Sequence, residues 1–114
     1  ASGRKTKGKA MSQPFQIATP ANTVVIDIAA TTASVALPAN PYQGSRTLRI
    51  FNDDQATCWI ELGVTGLEAE VANCHPIASK THQDFEIGQN VTHVACIGQG
   101  TPNGDLYITT GYVL

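Results

Sequence analysis

The sequence predicts an all-β protein: an antiparallel β-sandwich, jelly-roll or Greek-key-like, behind a flexible basic N-terminal arm. Three observations carry this. Short runs rich in β-branched residues recur about every ten residues, each bounded by Gly, Pro, Asn or Asp. Several runs alternate apolar and polar residues at period two, as strands with one wet face do. No window longer than about eight residues sustains the 3.6-residue period of an amphipathic helix.

Residues 1–13 ("ASGRKTKGKAMSQ") have no periodicity and nothing able to bury a face, so they are expected to form an extended arm. The sandwich domain is expected over 14–114. Strands are expected at 14–18 ("PFQIA"), 23–29 ("TVVIDIA"), 33–37 ("ASVAL"), 46–52 ("RTLRIFN") and 57–63 ("TCWIELG"), then at 75–79 ("HPIAS"), 83–88 ("QDFEIG"), 92–98 ("THVACIG") and 105–111 ("DLYITTG"). Within them Leu48 and Ile50 oppose Arg49, and Phe85 and Ile87 oppose Asp84 and Glu86. Cys58, Ile60 and Leu62 share one face, Trp59 and Glu61 the other. "GLEAEVAN" (66–73) is the one helix-like patch, too short to stand alone. Pro38, Pro41, Pro76 and Pro102 are expected in linkers or at strand ends, where a missing N–H does least harm. "NDDQ" (52–55) reads as a turn, because Asn and Asp side chains hydrogen-bond their own backbone. "TPNGD" (101–105) sets Asn103-Gly104 between apolar runs and predicts a type I′ hairpin turn.

The 114 residues are 42% apolar and only 14% charged, which fits one domain able to bury a core without metals or disulfides. No apolar run approaches the roughly 18 residues of a membrane span, and the N-terminus lacks the apolar segment of a secretory signal. Charge is unevenly placed. Arg4, Lys5, Lys7 and Lys9 are four of the seven cations, while all nine acids lie downstream against Arg46, Arg49 and Lys80. An acidic body of this kind is not expected to bind nucleic acid, because phosphate contacts need clustered cations. No membrane partner is expected either.

Candidate chemistry is sparse. Cys58, Cys74 and Cys96 are odd in number and contain no CxxC, so they read as structural thiols of a reducing compartment. No GxSxG elbow occurs. Cys74 and His75 are adjacent, and adjacent residues on a strand point to opposite faces. His93 and Cys96, three apart, would likewise split across a sheet, and the remaining histidines lack zinc spacing. His75 is expected in a turn, with His82 and His93 as surface imidazoles near strand ends. Asp53-Asp54 lacks the alternating acids of a calcium loop, and "GQGTPNG" (98–104) lacks the helix a phosphate cradle needs. The expectation is no enzyme, no catalytic residue, no cofactor and no metal. Trp59 could join Tyr42, Tyr107 and Tyr112 in a sugar-stacking platform only if all shared a face; a tryptophan at a strand centre is more simply core or interface. A carbohydrate-binding module therefore stays open as an alternative.

A non-catalytic sandwich with a cationic leader is suited to binding and assembly, where the leader gains order on acidic partner surface. The course "LPANPYQGSRTLRIFNDDQATCWIELG", "HPIASKTHQDFEIG" and "THVACIGQGTPNGDLYITTGYVL" resembles small virion proteins of tailed bacteriophages. Within that group it resembles the capsid decoration, or cement, proteins of the jelly-roll type known from a Bordetella phage. The resemblance covers about residues 35–114 and lies in strands and turns. It implies a protein that binds the outside of the phage head and stabilises contacts between major capsid protein subunits, itself forming dimers or trimers. It implies a place on the virion surface after assembly in the host cytoplasm. A tail or head–tail connector protein is the structural alternative. Arg4, Lys5, Lys7 and Lys9 lie outside the resemblance and are expected, from charge, to form the partner-contacting arm. Met11 leaves two readings of that leader open: an extension upstream of the true start, or a native tether laid over a neighbouring subunit.

Overall fold

A computed structural model describes residues 15–38, 46–88 and 90–113 of the chain. The leader with Arg4, Lys5, Lys7 and Lys9, and also Tyr42, lie outside the described residues. Eight strands form: β1 (Phe15–Asp27), β2 (Ala33–Ala36), β3 (Arg46–Asn52), β4 (Cys58–Gly63), β5 (His75–Ile77), β6 (His82–Ile87), β7 (His93–Ile97) and β8 (Asp105–Val113). They make two four-stranded sheets, β1-β8-β3-β6 and β2-β7-β4-β5, and every ladder is antiparallel. The chain changes sheet at every connection but β4 to β5, so no two consecutive strands pair except those. Of the two wirings the sequence left open, this order is the jelly roll: two sheets, interleaved, with the first and last strands paired.

Alternation decides which residues enter the core. Leu48, Ile50, Leu106 and Ile108 of the first sheet are fully buried, and so are Cys58, Val94 and Cys96 of the second, with Ile60 and Ile77 beside them. Burying each large aliphatic side chain contributes about 1.5–3 kcal/mol, so this layer dominates stability. The open side between β5 and β6 is closed by a smaller cluster. His75 Nε2 meets Gln83 Oε1 at 2.9 Å, and its ring stands edge-on to Phe85 at 5.3 Å.

Three local expectations are corrected. The first two expected strands are one strand, β1, whose pairing with β8 slips between Ile17 and Asn22. Pro20, with no N–H to give, falls inside that slip, where the ladder does without it. His75 opens β5 rather than sitting in a turn, and Pro76 is the middle residue of that edge strand. Asn103-Gly104 is not a hairpin turn, because β7 and β8 belong to different sheets and Asn103 has no positive φ. Gly104 is instead needed for close approach: a Cβ there would stand 2.6 Å from Asp54 Cα and 2.8 Å from Asp53 O.

The "NDDQ" turn forms as its side chains suggest. Asp54 N–H donates to Asn52 Oδ1 at 2.8 Å, and Asp54 Oδ1 accepts from the N–H groups of Gln55 and Ala56. Asp54 Oδ2 accepts from Asn103 N–H at 3.0 Å, tying the 98–104 loop to this turn. "GLEAEVAN" makes no helix. It lies in the long β4–β5 connection, pinned where Ala69 N–H donates to Thr32 Oγ1.

Candidate interaction face

The outer face of the β1-β8-β3-β6 sheet is organised in three rows that run across the strands. Register places Thr23, Thr109, Arg49 and Asp84 in one line. Thr23 and Thr109 share a hydroxyl hydrogen bond of 2.8 Å. Arg49 donates through Nε and Nη2 to the two oxygens of Asp84, each at 2.8 Å, and the Phe15 ring lies against its guanidinium at 4.5 Å. The Arg49 bond holds the Asp84 carboxyl below its usual range, and Asp84 in return raises the pKa of Arg49.

The middle row is Val25, Tyr107, Phe51 and His82. Phe51 and Tyr107 stack with centroids 6.3 Å apart and planes at 29°. Val25 is 48% exposed, one of two large hydrophobics left open among the described residues. The third row is acidic. Asp27 faces Asp105 across the ladder, Asp53 N–H donates to Asp105 O, and Lys80 Nζ bonds Asp53 Oδ1 at 2.9 Å. An apolar strip between an ion-paired line and a line of carboxylates has the composition of an interface, polar at its margin and aromatic at its centre.

The opposite outer face carries Trp59 between Ile97 and Pro76, with Ala95, Ser34 and Glu61 beside them. Trp59 and Tyr107 therefore lie on outer faces of different sheets, and the sugar-stacking platform does not assemble from them. The alternation of Trp59 with Cys58 and Ile60 is as the sequence suggests.

The His93–Cys96 pair weighed from the sequence stays apart. His93 lies half-buried on the outer face while Cys96 is fully buried beneath it. Among the described residues no group of three or more His, Cys, Asp or Glu side chains gathers. Cys58 and Cys96 are buried free thiols that hydrogen-bond each other, and that bond together with burial pushes Cys96 far up. Cys74 is half-buried and accepts Glu70 N–H. No described helix is long and apolar enough to cross a membrane. The partner-contacting residues expected from sequence, Arg4, Lys5, Lys7 and Lys9, belong to the part that is not described. The Val25–Tyr107–Phe51 row was missed because it joins three strands whose neighbourhood no local pattern encodes.

No protein-family model matches the chain, and no curated protein matches it in sequence. Among solved structures it is similar to a chain from Bacillus endospore appendages, which form a family of disulfide-linked pili. The TM-score is 0.50 at 20% identity, covering 89% of this chain and 91% of that one. The tobacco streak virus coat protein overlaps at a TM-score of 0.36 and 13% identity, over 82% of this chain and 87% of that one. The first likeness is one of fold.

Proposed function

We propose that the chain is a structural protein of a tailed-phage virion, a decoration protein that attaches to the outside of the head and braces neighbouring major capsid protein subunits. The observation that carries this reading is the Val25–Tyr107–Phe51 strip, uncovered among the described residues and framed by charged rows, on a molecule in which no three described His, Cys, Asp or Glu side chains gather. Adhesion needs such a face; catalysis needs convergent groups. The jelly-roll order and the strand-and-turn resemblance over residues 35–114 support the reading. In it the four cations of the leader strap onto acidic surface of a neighbour, adding affinity by tethering.

The test is to add purified chain to emptied heads that lack it and measure attachment and heat resistance. Saturable binding in hundreds of copies, weakened by salt and by deletion of residues 1–10, is the expected result. Failure to attach at micromolar concentration overturns it, and a handful of copies per particle indicates a connector instead.

The likeness to a pilus-forming chain favours a second reading, a subunit that polymerises with itself. Cys58 and Cys96 are wholly enclosed, so covalent links between such subunits would fall to Cys74. Filaments grown from the pure protein, seen by electron microscopy without any head present, would select this reading.

A further inference from the structure

We infer that the free edge of β1 over Thr23–Asp27 is a docking site for a second copy of this chain, paired antiparallel about a two-fold axis at Val25. The inference stands on how differently the four sheet edges are finished, and it holds whether or not the chain attaches to phage heads.

Exposed edges recruit foreign strands unless they are short, charged or interrupted by proline. β2 has four residues and β5 three, with Pro76 at its centre. β6 lifts Asp84 and Glu86 on its outer face. β1 is the long edge strand, and beyond its slip the segment Asn22–Asp27 pairs with β8 without interruption. Its one charge is Asp27. Among the described residues no strand pairs with its other side.

The direction of its hydrogen bonds follows from one contact. Ile28 N–H donates to Gly104 O at 3.0 Å, continuing the register in which Asp27 faces Asp105. In an antiparallel ladder, bonded and non-bonded residues alternate, so Val24 and Ile26 bond β8 while Thr23, Val25 and Asp27 aim N–H and C=O outward. Asp53 N–H bonding Asp105 O agrees, because it shows the odd-numbered residues of β8 turned to β3.

Charge and apolarity choose the register. Centring the axis on Asp27 would set two carboxylates face to face, which is destabilising. Centring it on Val25 sets Val25 against the partner's Val25 and Thr23 against the partner's Asp27, hydroxyl to carboxylate. About six backbone hydrogen bonds close. The two Phe51–Tyr107–Val25 rows then join end to end across an eight-stranded sheet. The dimer covers the exposed valine and consumes the outward N–H groups together.

Sedimentation of the full chain tests this. The wild type is expected to dimerise with rising concentration, and Val25→Pro to stay monomeric with its fold retained, because proline is tolerated where an edge N–H points outward. Cross-linking tests the register independently, in chains that also carry Cys74→Ser. Val25→Cys should be trapped as a disulfide dimer by oxidised glutathione, since directly bonded pairs lie about 5.5 Å apart at Cα. Thr23→Cys alone should not, being displaced from its own copy by two residue pairs on each side of the axis. A wild type that is monomeric at about 100 μM, or a Thr23→Cys dimer forming as readily as Val25→Cys, overturns the inference.

Discussion

Gly104 lies so close to Asp54 that a methyl group on it would stand 2.6 Å from the Asp54 Cα. The contact joins the 98–104 loop to the turn after β3 and is reinforced by the Asn103 N–H bond to Asp54 Oδ2. Gly104→Ala is therefore expected to cost about 2–4 kcal/mol, because backbone rather than a flexible side-chain tip is in the way. The urea midpoint measures it. A loss under about 1 kcal/mol would show that the loop can step aside.

This position shows what the sequence could and could not reveal. Asn103-Gly104 carries real turn chemistry, but a hairpin needs its two strands in one sheet, and that is decided by partners far along the chain, from Gly63 for His93 to Phe15 for Val113. The period-two readings around Arg49, Trp59 and Phe85 survived because a strand's two faces are a local property. Pairing order is not local, so the Val25–Tyr107–Phe51 row could be seen only once β1, β8 and β3 were neighbours. The fusion of two expected strands into β1 belongs to the same class: Pro20 marks a break in the ladder without ending the strand.

Cys96 is fully buried and bonded to Cys58. Its folded pKa is raised above the ordinary 9.0, so its contribution is complete below that value and is lost as pH climbs past it. Above pH 9 the unfolded chain releases a proton that the folded chain keeps. Between about pH 9 and 10.5 the wild type should lose stability with rising pH faster than a Cys58→Ala/Cys96→Ala variant, which has no buried thiol pair to hold a proton. Parallel slopes in denaturant titrations of the two would refute the coupling.

Asp84 works in the other direction. Arg49 depresses its pKa, so its stabilising effect is present above the ordinary 3.8 and fades as pH falls through the folded value. Both side chains are more than one third exposed, which limits the pair to under about 1 kcal/mol. Asp84→Asn should lower the melting temperature slightly at pH 7, by an amount that shrinks as pH falls below 3.8. High salt should narrow the difference at pH 7.

Ala72 has φ of 64°, a conformation that side chains with a Cβ adopt at a cost of about 1–2 kcal/mol. It is exposed, so replacement disturbs no packing. Ala72→Gly relieves the clash but adds freedom to the unfolded chain, and a net gain of about 0.5–1 kcal/mol is expected. Calorimetry would register it as a rise of a few degrees, and a fall would mean the left-handed turn is not what holds this connection.

The place of β8 between β1 and β3 has a consequence for biosynthesis. Its sheet has no complete centre until Asp105–Val113 arrives, since β1 reaches β3 only through it. The nascent chain must leave the ribosome with Leu48, Ile50 and Ile26 uncovered, waiting for their last neighbour. Pairings as distant as Phe15 with Val113 make such folding slow and expose it to aggregation. Removing Asp105–Val113 should thus yield a chaperone client rather than a smaller sandwich.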